Sequence, residues 1–352
     1  MHKNRIIASI LFIIVIVLPG IVSAAKFISI SKQVYVKPAG KTSYYRASLK
    51  MGLKTGDQIV CRNGTAVVSA GRGRFTIRPN SKITITDAIE GKKQGQGIIA
   101  NVGRVTARVS KGNDAVSFGS PTAVAGVRGT EFDIVVADDG TTQWAVTEGA
   151  IAVENDKGAV EVGTGKSSIV GMNAGPQAPA DFDTAANDFT SWIQSVNKKI
   201  KGNEPSICAS MKARIEANNI TIEALKKEYL TVSNNATLQQ KESSLLTADG
   251  TENAVIAAQK KAKSAMGLYL QASVIYTKMR MIDILNYSIV QSAERIQRNA
   301  DESTALQSNV DAVAQAYQEQ HVWFAARGAD NTALDFKKGR KAGKRKTKKL
   351  NF

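Results

Sequence analysis

The chain has 352 residues, 43% hydrophobic content and a formal charge of +17. That length and apolar share suffice for two ordinary cores and exclude a chain that is disordered throughout. Two cysteines and two histidines exclude a disulfide-scaffolded fold and a histidine-rich zinc centre.

At the start, Lys3 and Arg5 precede an apolar run over 6–18, followed by Pro19-Gly20 and Val22-Ser23-Ala24. This pattern predicts a signal peptide over residues 1–24, cleaved near Ala24, and a periplasmic or secreted protein. An uncleaved membrane anchor is the alternative, because residues 6–25 can be stretched to the roughly 20 residues a bilayer needs.

Residues 34–172 read as an all-β unit. In Lys82-Ile83-Thr84-Ile85-Thr86 and Val105-Thr106-Ala107-Arg108-Val109 apolar and polar residues alternate, which buries one face of a strand and wets the other. Asn63-Gly64 and Asp139-Gly140 each predict a two-residue hairpin turn, because these residue types tolerate positive φ. The most idiosyncratic stretch is 120–132, where a proline, two glycines, an arginine and a glutamate interrupt a β-prone run. Gly126 and Gly129 predict a bend or a close backbone approach there. Arg128, Glu131, Gly126, Gly129 and Thr130 form the candidate binding stretch. The favoured reading buries Arg128 as a loop-fixing arginine. The other makes it a recognition residue for a partner's carboxylate or phosphate. Positions three apart in a strand point to opposite faces, so an Arg128–Glu131 pair requires a bend at Gly129.

The segment PTAVAGVRGTEF at 121–132 resembles the signature of the FecR domain. The resemblance extends to VYVKPAG, LKTGDQIVC, RPNSKITI, WAVTEGAIAVEN and VEVGTGKS, covering residues 34–170. It implies a β-solenoid-like stack; the periodicity itself leaves sandwich, barrel and solenoid open. FecR domains occur in periplasmic parts of iron-uptake regulators, where they pass a signal from an outer-membrane transporter to a cytoplasmic sigma factor, and in exported envelope proteins. Only residues 1–5 precede the apolar segment here, which speaks against a transmembrane anti-sigma role.

Pro and Gly at 173–180 predict a linker. Beyond it, residues 181–328 are expected to form an antiparallel α-helical bundle, with a coiled-coil dimer as the alternative, so the fold class is α+β in two separate domains. Helices are expected over 188–200, from Glu204-Pro205 onward, over 252–298 with an apolar stripe of Ile282, Leu285, Ile289, Ala293 and Ile296, and around Leu306, Val310, Val313 and Tyr317. Residues 336–352 read as a basic disordered tail, with Lys337, Lys338, Arg340, Lys341, Lys344, Arg345, Lys346, Lys348 and Lys349 unopposed by any acid.

Gly163-Thr164-Gly165-Lys166-Ser167 lacks the first glycine of a phosphate-binding loop and sits among strands, so it reads as a turn. Asp138-Asp139-Gly140 lacks the further oxygen ligands of a calcium loop and reads as part of its hairpin. His321, beside Val322-Trp323-Phe324, reads as a packing residue at the end of the bundle. Cys61 and Cys208 are open to a disulfide in an exported chain, or Cys61 is a small buried hydrophobe. Together these features predict a non-enzymatic, exported envelope binding or scaffolding protein, with no catalytic set, metal or cofactor. The alternative is a periplasmic signal-sensing component, related to FecR-type regulators of iron uptake, without a sigma-factor-binding domain. The expected partners are an envelope protein or an anionic envelope polymer, with the tail directed to a membrane surface, nucleic acid disfavoured and oligomeric state open.

Overall fold

The computed structural model describes residues 25–90, 93–112, 116–127, 129–249, 251–300 and 304–326. The expected signal peptide, Arg128 and the basic tail lie outside these residues.

Among the described residues, seventeen strands form the first half. They are β1 Ala25–Ser31, β2 Val34–Lys37, β3 Tyr45–Arg46, β4 Gly52–Leu53, β5 Gln58–Cys61, β6 Thr65–Ala70, β7 Gly73–Ile77, β8 Ser81–Glu90 and β9 Lys93–Val109. There follow β10 Ser117–Gly119, β11 Val124–Val127, β12 Thr130–Val136, β13 Thr142–Glu148, β14 Ala150–Asn155, β15 Gly158–Gly163, β16 Lys166–Val170 and β17 Ala180–Asp181. They make two layers. Sheet A runs β4-β1-β6-β7-β9-β12-β13-β16-β17, and sheet B runs β3-β2-β5-β8-β9-β10-β11-β14-β15. Among the described residues every pairing is antiparallel except β9 with β10. The chain thus shuttles between two facing layers.

Strand β9 belongs to both sheets. Its first part pairs with β8 and its last with β7 and β12. The change of sheet falls at Gly103, whose φ of +84 suits glycine, and a Cβ there would lie 2.6 Å from the carbonyl oxygen of Asn80. One apolar interior fills the space between the layers, including Phe75 and Phe132 from sheet A and Ile59, Ile83 and Phe118 from sheet B. Phe118 meets Phe75 edge-on at 5.4 Å and Phe132 at 4.9 Å, contacts that add about 1 kcal/mol each to area burial.

The two expected hairpins differ. Asp139-Gly140 lies in a β12–β13 hairpin, where Ala137 N–H donates to Thr141 O at 2.9 Å and Gly140 has φ +85. Asn63-Gly64 does not form a hairpin. Strand β5 pairs with β2 and β8, whereas β6 pairs with β1 and β7, so this turn carries the chain from sheet B to sheet A. Gly64 is needed there for a close crossing, since a Cβ would sit 2.1 Å from the carbonyl oxygen of Ser31.

The second half contains helices α1 Thr190–Ile200, α2 Glu204–Asp249, α3 Glu252–Asn299 and α4 Thr304–Ala325. At 1.5 Å per residue α2 and α3 are each about 70 Å long. They form an antiparallel hairpin, seen in the pairing of Ser243 Oγ with Ala258 O (2.9 Å) near the turn and Asn218 with Asn286 (2.7 Å) far from it. Thr251 caps α3 by accepting from Ala254 N–H at 3.3 Å. On α3, Ile289, Val290, Ala293 and Ile296 pack with Met211 and Ile215 of α2 and with Val310, Val313 and Tyr317 of α4. Of the expected stripe, Ile289, Ala293 and Ile296 lie in this core, Ile282 packs against a separate cluster with Ile222, Met279 and Phe324, and Leu285 reaches Gly119 of sheet B.

The boundary between the halves is interlocked. Strand β17 continues sheet A to Asp181, and Trp192 and Ile193 of α1 pack with Phe189 against Val135 and Ala145 of the same sheet. Arg104 reinforces this contact by reaching the carbonyl of Asn187 and the ring of Phe189 while bonding buried Asp133 at 2.7 Å.

The disulfide reading is corrected. Cys61 lies in the core between the sheets and Cys208 in the helical core, and both are free and buried. Burial pushes the Cys61 thiol up to about 12 and that of Cys208 to about 11, which leaves both as unreactive thiols.

Candidate functional site

The outward faces of β2, β5, β8 and β9 in sheet B are polar, as alternation requires, yet Gln58, Thr84 and Asn101 are fully buried. The cause is α3, whose final third lies across them. A polar stripe on that helix makes the contacts. Lys37 Nζ donates to Tyr287 OH at 3.2 Å, Gln291 Nε2 faces Gln58 Oε1 at 3.5 Å, and Arg295 Nη2 donates to Asn101 O at 3.1 Å and Asp138 O at 3.4 Å. Arg295 Nε also lies 3.6 Å from Asp138 Oδ1. Arg214 of α2 pairs with Asp156, and Asn173 Nδ2 donates to Ser210 O at 2.8 Å, so the base of α2 is fastened to the β half as well.

Where α3 leaves sheet B, a cleft of about 460 Å³ opens between them. Sheet B and its loops supply Tyr44, Arg62, Asn80 and Lys82; the helix supplies Gln291, Glu294, Arg295 and Arg298, with Asp138 and Asn299 at one end. Lys37 stands beside it, under the ring of Tyr287. Cations therefore outnumber carboxylates. Neither Lys82 nor Arg298 has a carboxylate within ion-pair distance among the described residues, and Lys82 Nζ lies 6.0 Å from the Tyr44 ring centre.

The electrostatics follow from that crowding. Burial first, and then Lys37, bring the Lys82 ammonium down to about 7, with Glu294 pulling the other way and Arg295 and Arg298 adding smaller downward pushes. Burial also lowers Lys37, which Glu294 partly offsets, and lowers Arg295 to about 10. The Tyr287 phenol is pushed up to about 12 and that of Tyr44 further, in both cases mainly by burial. Both tyrosines stay neutral. A concave site with unneutralised cations, neutral aromatic walls and amide groups can hold an anion.

The predicted binding stretch lies elsewhere. Glu131 is bound by Arg108 across the β9–β12 pair, with Nη2 at 2.6 Å and Nε at 2.9 Å from Oε2. Thr130 is buried and donates from Oγ1 to Ala150 O at 3.1 Å. Gly129 has the left-handed φ of +67 that the bend reading required. Gly126 needs no such freedom, because it is a regular residue of β11 with open space where a Cβ would be. The structure does not bring these residues to the cleft.

Other expectations resolve locally. Thr164-Gly165 is a turn between β15 and β16, with Gly165 at φ +73. Both oxygens of Asp139 are taken by Thr141, from its N–H and its hydroxyl at 2.8 Å each, as a hairpin requires. His321 is buried with Nδ1 at 2.8 Å from Tyr317 OH and 3.1 Å from Asp283 Oδ1, and Asp283 accepts from Arg280 at 3.0 Å. It ties α3 to α4.

Residues 60–152, the middle of the β half, match the family model described as FecR protein. Two solved structures with partial likeness are crystal structures of an anti-sigma factor candidate from Parabacteroides distasonis ATCC 8503. One has 15% identity and a TM-score of 0.30, spanning 38% of this chain and 63% of that one; the other has 14% and 0.27, spanning 48% and 73%. No curated protein matches. The FecR match includes the cleft residues Lys82, Val102 and Asp138 but stops before α3.

Proposed function

We propose that this chain is an exported, non-enzymatic binding and scaffolding protein of the cell envelope, in which a FecR domain and a helical arm share one cationic cleft. The observation that supports it is the polar stripe of α3 laid over sheet B, with Lys82 and Arg298 at the joint and no carboxylate within ion-pair distance of either among the described residues. Such a cleft suits an anionic envelope polymer or an acidic patch on an envelope protein. The tail of residues 336–352 adds screened attraction to anionic surfaces, each basic residue contributing about 1 kcal/mol at most. A periplasmic signal-sensing role is the second reading, favoured by the FecR match itself.

The test is sedimentation of the full chain with purified envelopes across a salt series, beside a chain ending at Asp335 and with crosslinked partners identified. Salt-sensitive binding, weakened on truncation and recovering polymer or assembly proteins, is the expected result. Recovery of an outer-membrane transporter would favour the sensing role, and salt-independent binding would overturn the electrostatic account.

A further inference from the structure

The cleft contains more than charge. Gln291 is 3% exposed, lines the cleft, and its Oε1 has no hydrogen-bond partner among the described residues. A buried amide oxygen left this way costs roughly 1–3 kcal/mol unless an outside donor reaches it. Asn80 and Asn299 add amides to the wall. The same cleft holds Lys82 on the sheet wall and Arg298 on the helix wall, close enough for their charges to interact, with Arg62 stacked on Tyr35 at 5.4 Å. A lone carboxylate would neutralise one cation and leave Gln291 unserved. A ligand carrying a doubly charged group at one end and hydroxyl donors at the other would satisfy both.

We propose that the cleft between α3 and sheet B binds a phosphate ester of a sugar-sized, hydroxylated molecule, with Lys82 and Arg298 on the phosphate and Gln291 on a hydroxyl. This rests on the envelope-binding reading for its natural source, a phosphorylated unit of an envelope polymer, although a soluble sugar phosphate presents the same chemistry. The volume of about 460 Å³ lies within the range of small-molecule sites. The groups that face Lys82 are Lys37 and Tyr44 on its own side, and Tyr287, Glu294, Arg295 and Arg298 on the helix.

A pH signature follows. The Lys82 ammonium must be charged, and it titrates at about 7 in the free protein, while the second proton of a phosphate ester leaves near pH 6. The product of the two charged fractions is nearly flat from pH 6 to 7 and falls about fivefold by pH 8.

The experiment is calorimetric titration of the full chain with glucose 6-phosphate, with glucose and glucuronate as controls, at pH 6, 7 and 8. It is repeated on Lys82→Gln and on Arg298→Gln; the latter replaces an exposed side chain and keeps the test valid if the former is unstable. Saturable binding of glucose 6-phosphate alone, with the flat-then-falling profile and a loss of about tenfold or more in either variant, supports the proposal. Binding of glucuronate in preference, unchanged affinity in Arg298→Gln, or no saturation by 10 mM, taken as roughly ten times the weakest useful affinity, overturns it. Envelope binding measured on the same variants separates the two readings. If wild-type protein binds envelopes but not the sugar phosphate, only this inference falls; if the variants lose the sugar phosphate but keep envelope binding, the ligand is a soluble metabolite.

Discussion

Two buried regions of this molecule are built from opposite materials. Between the sheets the interior is apolar, with Phe75, Phe118, Phe132 and Trp144 in a chain of ring contacts. Beneath α3 the contact is polar, with Lys37, Gln58, Asn101, Gln291 and Arg295 all buried. The first region gains from every apolar area removed from water. The second gives little net stability, because its groups exchange water for one another. It fixes where the helix sits and leaves a charged opening at its end. The apolar interior and the charged opening are therefore separated in space.

The sharpest way to break the apolar side is Phe118→Ala, which removes both edge-on contacts and should cost about 3–5 kcal/mol in a denaturant titration. On the polar side, Arg295→Ala strips the bonds to Asn101 and Asp138 and should cost about 2 kcal/mol. A value as large as that for Phe118 would mean that the seam is a second core.

Lys82→Met should raise stability. The folded lysine titrates near 7 against an ordinary 10.5, so the folded state binds fewer protons than the unfolded one. The penalty is fully present below pH 7 and disappears as pH rises toward 10.5. The gain from the substitution should accordingly be greater at pH 6 than at pH 10 in paired thermal melts, and an equal gain at both would deny that Lys82 is desolvated. Smaller still, Thr251→Ala should lower helical stability by about 1 kcal/mol through loss of the α3 cap. Arg108→Ala should leave stability unchanged within error, since the pair with Glu131 is solvent-exposed.

Much of this plan was legible in the chain. Helix α3 was expected over 252–298 and runs Glu252–Asn299, because a long 3.6-residue period overrides local ambiguity. The all-β character of the first half followed from alternation, but its two facing layers did not, since that period leaves sandwich, barrel and solenoid open; nor did the turn at Asn63-Gly64, because turn residues report local geometry and not which sheet receives the next strand. The cleft was half visible. Arg280, Asp283, Tyr287, Gln291, Arg295 and Arg298 recur at three- and four-residue steps, a second stripe on the helix whose apolar stripe was recognised. A polar stripe ordinarily faces water. Only the polar outward face of sheet B makes it a seam, and no spacing brings Lys82 next to Arg298. The 120–132 signature drew attention for its unusual residues, yet Glu131 is occupied by Arg108.

The central claim is that binding takes place at the joint between the FecR domain and α3. Amide hydrogen exchange of the full chain, with and without purified phosphate-bearing envelope polymer, tests it most directly. The account predicts added protection at 78–84 and 288–299, the two walls of the cleft. Protection confined to 124–132, with both walls unchanged, would contradict it and return the binding site to the signature stretch.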